Sequence, residues 1–101
     1  MELLLDTKKL ETVAFVLKTI AHPLRIGIVD LLSKNEEQSV NEICLKLNSE
    51  QSLTSHHLQN MKLKGILGSR REGKNIYYFL KVTEVISVVS CIEKCDHLPF
   101  D

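Results

Sequence analysis

Glycine and proline are scarce. The 101 residues hold four glycines and two prolines, which excludes collagen-like and low-complexity chains. Long apolar runs are missing too, since none approaches the roughly 18 residues of a membrane span. The stretch Leu3–Leu5 ends at Asp6, too short for the core of a secretion signal. Cysteine is sparse and odd in number. Three thiols make a poor disulfide framework, so the expected setting is a reducing cytoplasm with no membrane partner. Net charge is absent as well: 13 basic side chains balance 13 acidic ones, so total charge names no partner. The sequence shows no internal repeat, no linker and no glycine-rich phosphate loop. What is there is 44% hydrophobic and 26% charged, the composition of one folded domain over 1–101. At this size folding buries only about two-thirds of the unfolded surface, so the core is modest and a dimer partner would add to it.

The balanced total hides a segregation of charge. Residues 1–45 carry net −2 and residues 82–101 carry net −3. Residues 46–81 carry net +5, with Lys46, Lys62, Lys64, Arg70, Arg71, Lys74 and Lys81 against Glu50 and Glu72. A basic block of this kind suits a polyanion, although a solvated charged face gives the same pattern.

Periodicity sets the architecture. Leu10, Val13, Ala14 and Leu17 recur at three and four and predict an amphipathic helix over 6–20. His22-Pro23 interrupts it, because the residue before proline avoids the helical region, and Pro23 suits the first turn of a second helix. That helix buries Ile28, Leu31 and Leu32, and a polar connection follows over 34–38. Ser39-Val40-Asn41-Glu42 reads as a capping box opening a short third helix, and Asn48 can take the left-handed conformation that closes it. Ser49 is positioned to cap a fourth helix that ends at Gly65. Two strands, 66–71 and 76–80, flank the turn Glu72-Gly73-Lys74-Asn75. A last helix begins near Thr83 with Val85, Ile86, Val89 and Ile92 at helical spacing.

Two short helices, a tight turn, a polar helix and a basic hairpin describe a mainly α (α+β) winged helix-turn-helix, with five helices and a two-stranded wing. The residues resemble the ArsR/SmtB family of bacterial repressors. The matching pieces are Leu17-Lys18-Thr19-Ile20-Ala21-His22-Pro23-Leu24-Arg25, Ser39-Val40-Asn41-Glu42-Ile43, Ser55-His56-His57-Leu58, Lys64-Gly65-Ile66-Leu67 and Arg70–Leu80. The resemblance runs over about 10–82, most of the chain. It implies a homodimeric repressor whose first and last helices pair across a twofold axis. The apolar stripes on 10–17 and 82–92 fit that role, unless both close the monomer core. A twofold protein reads two half-sites, so the expected partner is an imperfect palindrome in double-stranded DNA.

A recognition helix places its N-terminal side chains on base edges in the major groove. Here these are Gln51, Ser52, Ser55 and His56. Glutamine suits adenine and serine several edges. Leu53 either touches a thymine methyl or belongs to the core. His57 and Leu58 face inward in the family pattern. Arg70, Arg71 and Lys74 on the wing, with Lys62 and Lys64, supply phosphate contacts that set affinity and salt dependence. Tyr77 and Tyr78 alternate across a strand, so one is core and the other surface.

Many members of the family it resembles release DNA on binding a metal or on thiol oxidation. Cys91 and Cys95 stand four apart near the end of the last helix, with His97 beyond, and are the candidate thiol sensor or soft-metal site. Their Cβ atoms would lie roughly 5–6 Å apart on an intact helix, against about 3.8 Å for a disulfide. A thiophilic metal or metalloid would bridge them with less distortion. The family's Asp/His zinc pattern is absent, since 82–94 contains neither residue, and Asn41 stands at one expected cysteine position on the third helix. Cys44 is alone on an apolar face and reads as a small hydrophobe. An enzyme would need a thiol such as Cys44 held by His57, with a substrate cradle the sequence lacks. A winged-helix module that binds protein instead of DNA is the alternative, and the wing cations oppose it.

Overall fold

The computed structural model describes residues 6–94. Five helices and a three-stranded sheet follow one another as α1 (Thr7–Ile20), α2 (Pro23–Lys34), β1 (Gln38–Ser39), α3 (Val40–Leu47), α4 (Gln51–Leu63), β2 (Leu67–Glu72), β3 (Asn75–Leu80) and α5 (Val85–Glu93).

Local signals fix most boundaries. The Asp6 carboxylate accepts the Lys9 N–H at 2.8 Å and starts α1. His22 caps α2 through Nδ1, which accepts the Leu24 N–H at 3.1 Å, and Pro23 fills the first turn. The capping box on α3 is complete: Ser39 Oγ accepts the Glu42 N–H at 3.2 Å and the Glu42 carboxylate accepts the Ser39 N–H at 2.8 Å. Asn48 ends α3 at φ 51°. At the end of α4, Ile66 N–H donates to the Met61 carbonyl and Gly65 N–H to that of Lys62, with Gly65 at φ 83°. This crossed pair closes the helix and turns the chain into β2.

The structure departs from the sequence reading at several points, beginning with the expected strands 66–71 and 76–80, which are Leu67–Glu72 and Asn75–Leu80. Ser49 does not cap α4. The cap position is Glu50, without a side-chain bond, and Ser49 Oγ lies 2.7 Å from Thr54 Oγ1. Because Thr54 Oγ1 donates to the Glu50 carbonyl, the Ser49 hydroxyl is the donor in that pair. The helix expected from Thr83 begins at Val85. The wing has a third strand: Gln38 and Ser39 pair antiparallel with Tyr78 and Tyr77, giving the order β1-β3-β2. Two residues are too few to show the period of two that marks a strand.

One core joins these elements. Ile28, Val29 and Leu32 of α2 meet Ile43 of α3, Leu58 and Met61 of α4, Leu67 of β2, Tyr78 of β3, and Val85 and Val89 of α5. The two apolar stripes have different fates. The α5 stripe closes the core through Val85 and Val89. On α1 only Val16, Thr19 and Ile20 turn inward, while Leu10, Val13 and Leu17 stay 41–44% exposed. A groove of about 880 Å³ runs between them, with Val13, Val16 and Leu17 on one wall and Val82, Val85 and Val88 on the other.

Candidate nucleic-acid interface

Helix α4 divides by its wheel. Thr54, His57, Leu58 and Met61 are buried, which forces the opposite side outward at 100° per residue. Gln51, Ser52 and His56 are exposed and Ser55 is half-buried. The family-implied inward His57 and outward His56 are therefore where the structure puts them. Leu53 is 47% exposed, so it lies outside the core.

The wing reaches the same side. A two-residue turn, Gly73-Lys74, joins β2 to β3, with Glu72 opposite Asn75 and Gly73 at φ 63°. A small concavity of about 220 Å³ brings Gln51 and Ser55 of α4 together with Asn41 of α3 and Lys74 and Asn75 of the wing. Gln51, Ser55 and the wing-tip cation Lys74 thus line one hollow. Lys62, Lys64 and Arg71 are exposed, and among the described residues they and Lys74 make no ion pair.

Arg70 is engaged within the chain. Its Nε donates to both Glu37 carboxylate oxygens, at 2.9 and 3.0 Å, and its Nη2 also reaches Glu37. Its Nη1 donates to Glu72 at 3.0 Å, and the guanidinium lies 4.7 Å over the Tyr77 ring. The grip of Arg70 holds the Glu37 carboxyl below its usual pKa, and the two carboxylates raise that of Arg70. Tyr78, the other half of the alternating pair, is buried, and burial raises its hydroxyl's pKa. Glu37 had no signal in the sequence, because its partner lies 33 residues away.

His57 has an uncommon setting. Its Nδ1 lies 2.8 Å from Arg25 Nε, and its ring sits 4.5 Å from that of His22 and 5.9 Å from that of His56. Burial first, then Arg25, lowers its pKa below the ordinary 6.5. The two described thiols lie on different helices. Cys44 is half-buried on α3, Cys91 is exposed on α5, and Cys95 and His97 fall outside the described residues. Among the described residues no three His, Cys, Asp or Glu side chains converge as a metal site. No single described helix is long and apolar enough to cross a membrane.

A helix-turn-helix whose second helix bears an exposed polar face, beside a hairpin that carries exposed cations, defines a winged-helix regulator that acts on DNA. Residues 22–68 match the profile described as "Bacterial regulatory protein, arsR family". The chain is 35% identical over 88 residues to the transcriptional repressor PagR of Bacillus anthracis, covering 87% of this chain and 88% of that one. It belongs to the arsR family of bacterial regulatory proteins: it is a DNA-binding transcriptional regulator and not an enzyme. The solved structure of PagR superposes with a TM-score of 0.76 at 36% identity, over 86% of this chain and 99% of that one. The reduced form of HlyU from Vibrio cholerae N16961 superposes at 0.79 with 28% identity, over 90% and 95%.

Proposed function

We propose that this chain is a cytoplasmic, homodimeric repressor that reads an imperfect palindrome. The observation that carries the reading is the outward row of Gln51, Ser52, Ser55 and His56 beside the wing. Gln51 and Ser55 share a hollow with Lys74. These four residues contact base edges, and Arg71, Lys74, Lys62 and Lys64 contact phosphates. The exposed Leu10, Val13 and Leu17 on α1 support the dimer, because a second copy would take that row out of water. The signal that ends repression acts on thiols. Cys91 is exposed, Cys95 follows four residues on, and a relative is known in a form described as reduced. An oxidant or a soft metal or metalloid is the matching effector class.

Fluorescence anisotropy of the reduced chain against its own upstream DNA tests the reading. Tight binding that falls steeply between about 50 and 200 mM salt supports it. No binding by a chain shown to be folded transfers the wing to a protein partner. Repeating the titration with a mild oxidant, zinc and arsenite, and on Cys91→Ser and Cys95→Ser, tests the thiols. Binding indifferent to all three treatments reduces them to packing.

A further inference from the structure

Arg25 stands where three helices meet. Its Nε donates to His57 Nδ1 on α4, and its Nη1 donates to the Thr19 carbonyl at the end of α1, both at 2.8 Å. One half-buried guanidinium on α2 therefore joins the helix with the exposed apolar row to the helix with the reading face. We propose that Arg25 is a positioning residue for DNA reading, tying α4 to the C-terminal end of α1 through a bond that exists only while His57 is neutral. The proposal rests on α4 being the reading helix.

The chemistry is directional. A guanidinium N–H can only donate, so Nδ1 must offer a lone pair. The single proton of the neutral ring then sits on Nε2, which is buried without a partner among the described residues. A second proton at Nδ1 sets donor against donor and cation against cation. The groups that face His57 cannot soften this. Arg25 comes from α2, His22 from the α1–α2 joint and His56 from α4 itself, and all three act to lower the His57 pKa. His57 is 7% exposed, so water does not screen the clash. His56 is the next residue back along α4, so a shift of His57 moves a reading side chain with it. An event at α1 reaches the DNA face by the same bond, and the bond's state depends on pH.

Two measurements on the full chain test this. In the first, NMR follows the His57 imidazole and the backbone amides through an acid titration. The wild type should show the Nε2–H form, and the Ile20 amide, which shares its peptide with the Thr19 carbonyl, should shift with the His57 midpoint. In Arg25→Met, His57 should titrate and Ile20 should no longer follow. Continued following in that variant overturns the tie. In the second, DNA affinity of the wild type is divided by that of His57→Asn, whose amide oxygen can accept near the Nδ1 position but does not titrate. The ratio cancels the general gain of positive charge in acid. It should fall by about threefold or more as the pH is lowered from about 7.5 through the His57 midpoint that the NMR titration gives. A flat ratio overturns the proposal, and this arm does not depend on Arg25→Met folding. Loss of DNA binding by the wild type at neutral pH, with Ile20 still following His57, would instead sink the assignment of α4 as the reading helix, and the role of Arg25 in reading with it.

Discussion

Glu37 holds Arg70 by a two-pronged grip across the base of the wing, with Nε to carboxylate distances of 2.9 and 3.0 Å. Glu72 takes the far side of the same guanidinium. Two carboxylates outweigh the single charge of Arg70, so phosphates have little reason to approach that guanidinium. Exposed ion pairs are weak singly, but the paired geometry and the Tyr77 ring beneath favour one orientation. Arg70 thus braces the wing, and Arg71 beside it stays available. The slope of log affinity against log salt should drop by about 0.9 in Arg71→Ala and by much less in Arg70→Gln. Equal drops would put Arg70 on the phosphates after all.

His56 should govern sequence preference. In His56→Ala, discrimination between the operator and a single-substitution operator should shrink by about 1–3 kcal/mol at one position, with the salt slope held. Competition titrations with a substituted operator set measure this, and unchanged discrimination would remove His56 from the reading set.

The row on α1 should govern assembly. Leu17→Glu places a carboxylate at the C-terminal end of the exposed apolar row. It should convert the chain to a folded monomer in sedimentation equilibrium and reduce operator affinity with it. A variant that stays dimeric would move the interface elsewhere.

Gly68 has no room for a side chain. It pairs with Phe79, and a Cβ built on it would lie 2.5 and 2.6 Å from the Phe79 ring. Gly68→Ala should cost about 1–3 kcal/mol in urea unfolding, because the ring must move off its neighbours. Gly65, where an added Cβ meets nothing, has a different constraint: its φ of 83° penalises Gly65→Ala through the backbone alone.

Acid should loosen the fold in two steps. His57 has a folded pKa below its ordinary 6.5, so the unfolded chain takes up its proton first and stability falls as pH drops through that value. Glu42 accepts the Ser39 N–H, which lowers its pKa from 4.5, so its contribution is present above that value and lost below it. Urea midpoints measured across pH should show both. His57→Asn should abolish the upper step. Glu42→Gln, which can still reach back to the cap, should shrink the lower one and leave the part that Glu37 contributes through Arg70.

The sequence disclosed what short range determines. Pro23 after His22, the Ser39–Glu42 box and the left-handed Asn48 each act within four residues, and each stands where the reading placed it. The inward His57 and outward His56 followed from helix geometry joined to the family pattern. Contacts between distant segments were hidden. Nothing near Glu37 announces Arg70, nothing near Arg25 announces His57, and the polar run before Ser39 conceals a strand that only β3 makes visible. The fate of the apolar stripes was equally illegible, because periodicity says which side of a helix is apolar but not what covers it.

Ser39 belongs to two structures at once. It is the last residue of β1, opposite Tyr77, and its hydroxyl and N–H complete the cap of α3. The hairpin is therefore not an exchangeable cassette. A chimaera that imports a foreign wing at residues 67–80 would inherit a β3 whose edge was shaped for another β1, and the mismatch would be felt first at the start of α3. Transplants in this fold should carry residues 37–39 with the hairpin, so that the graft crosses the chain in two places.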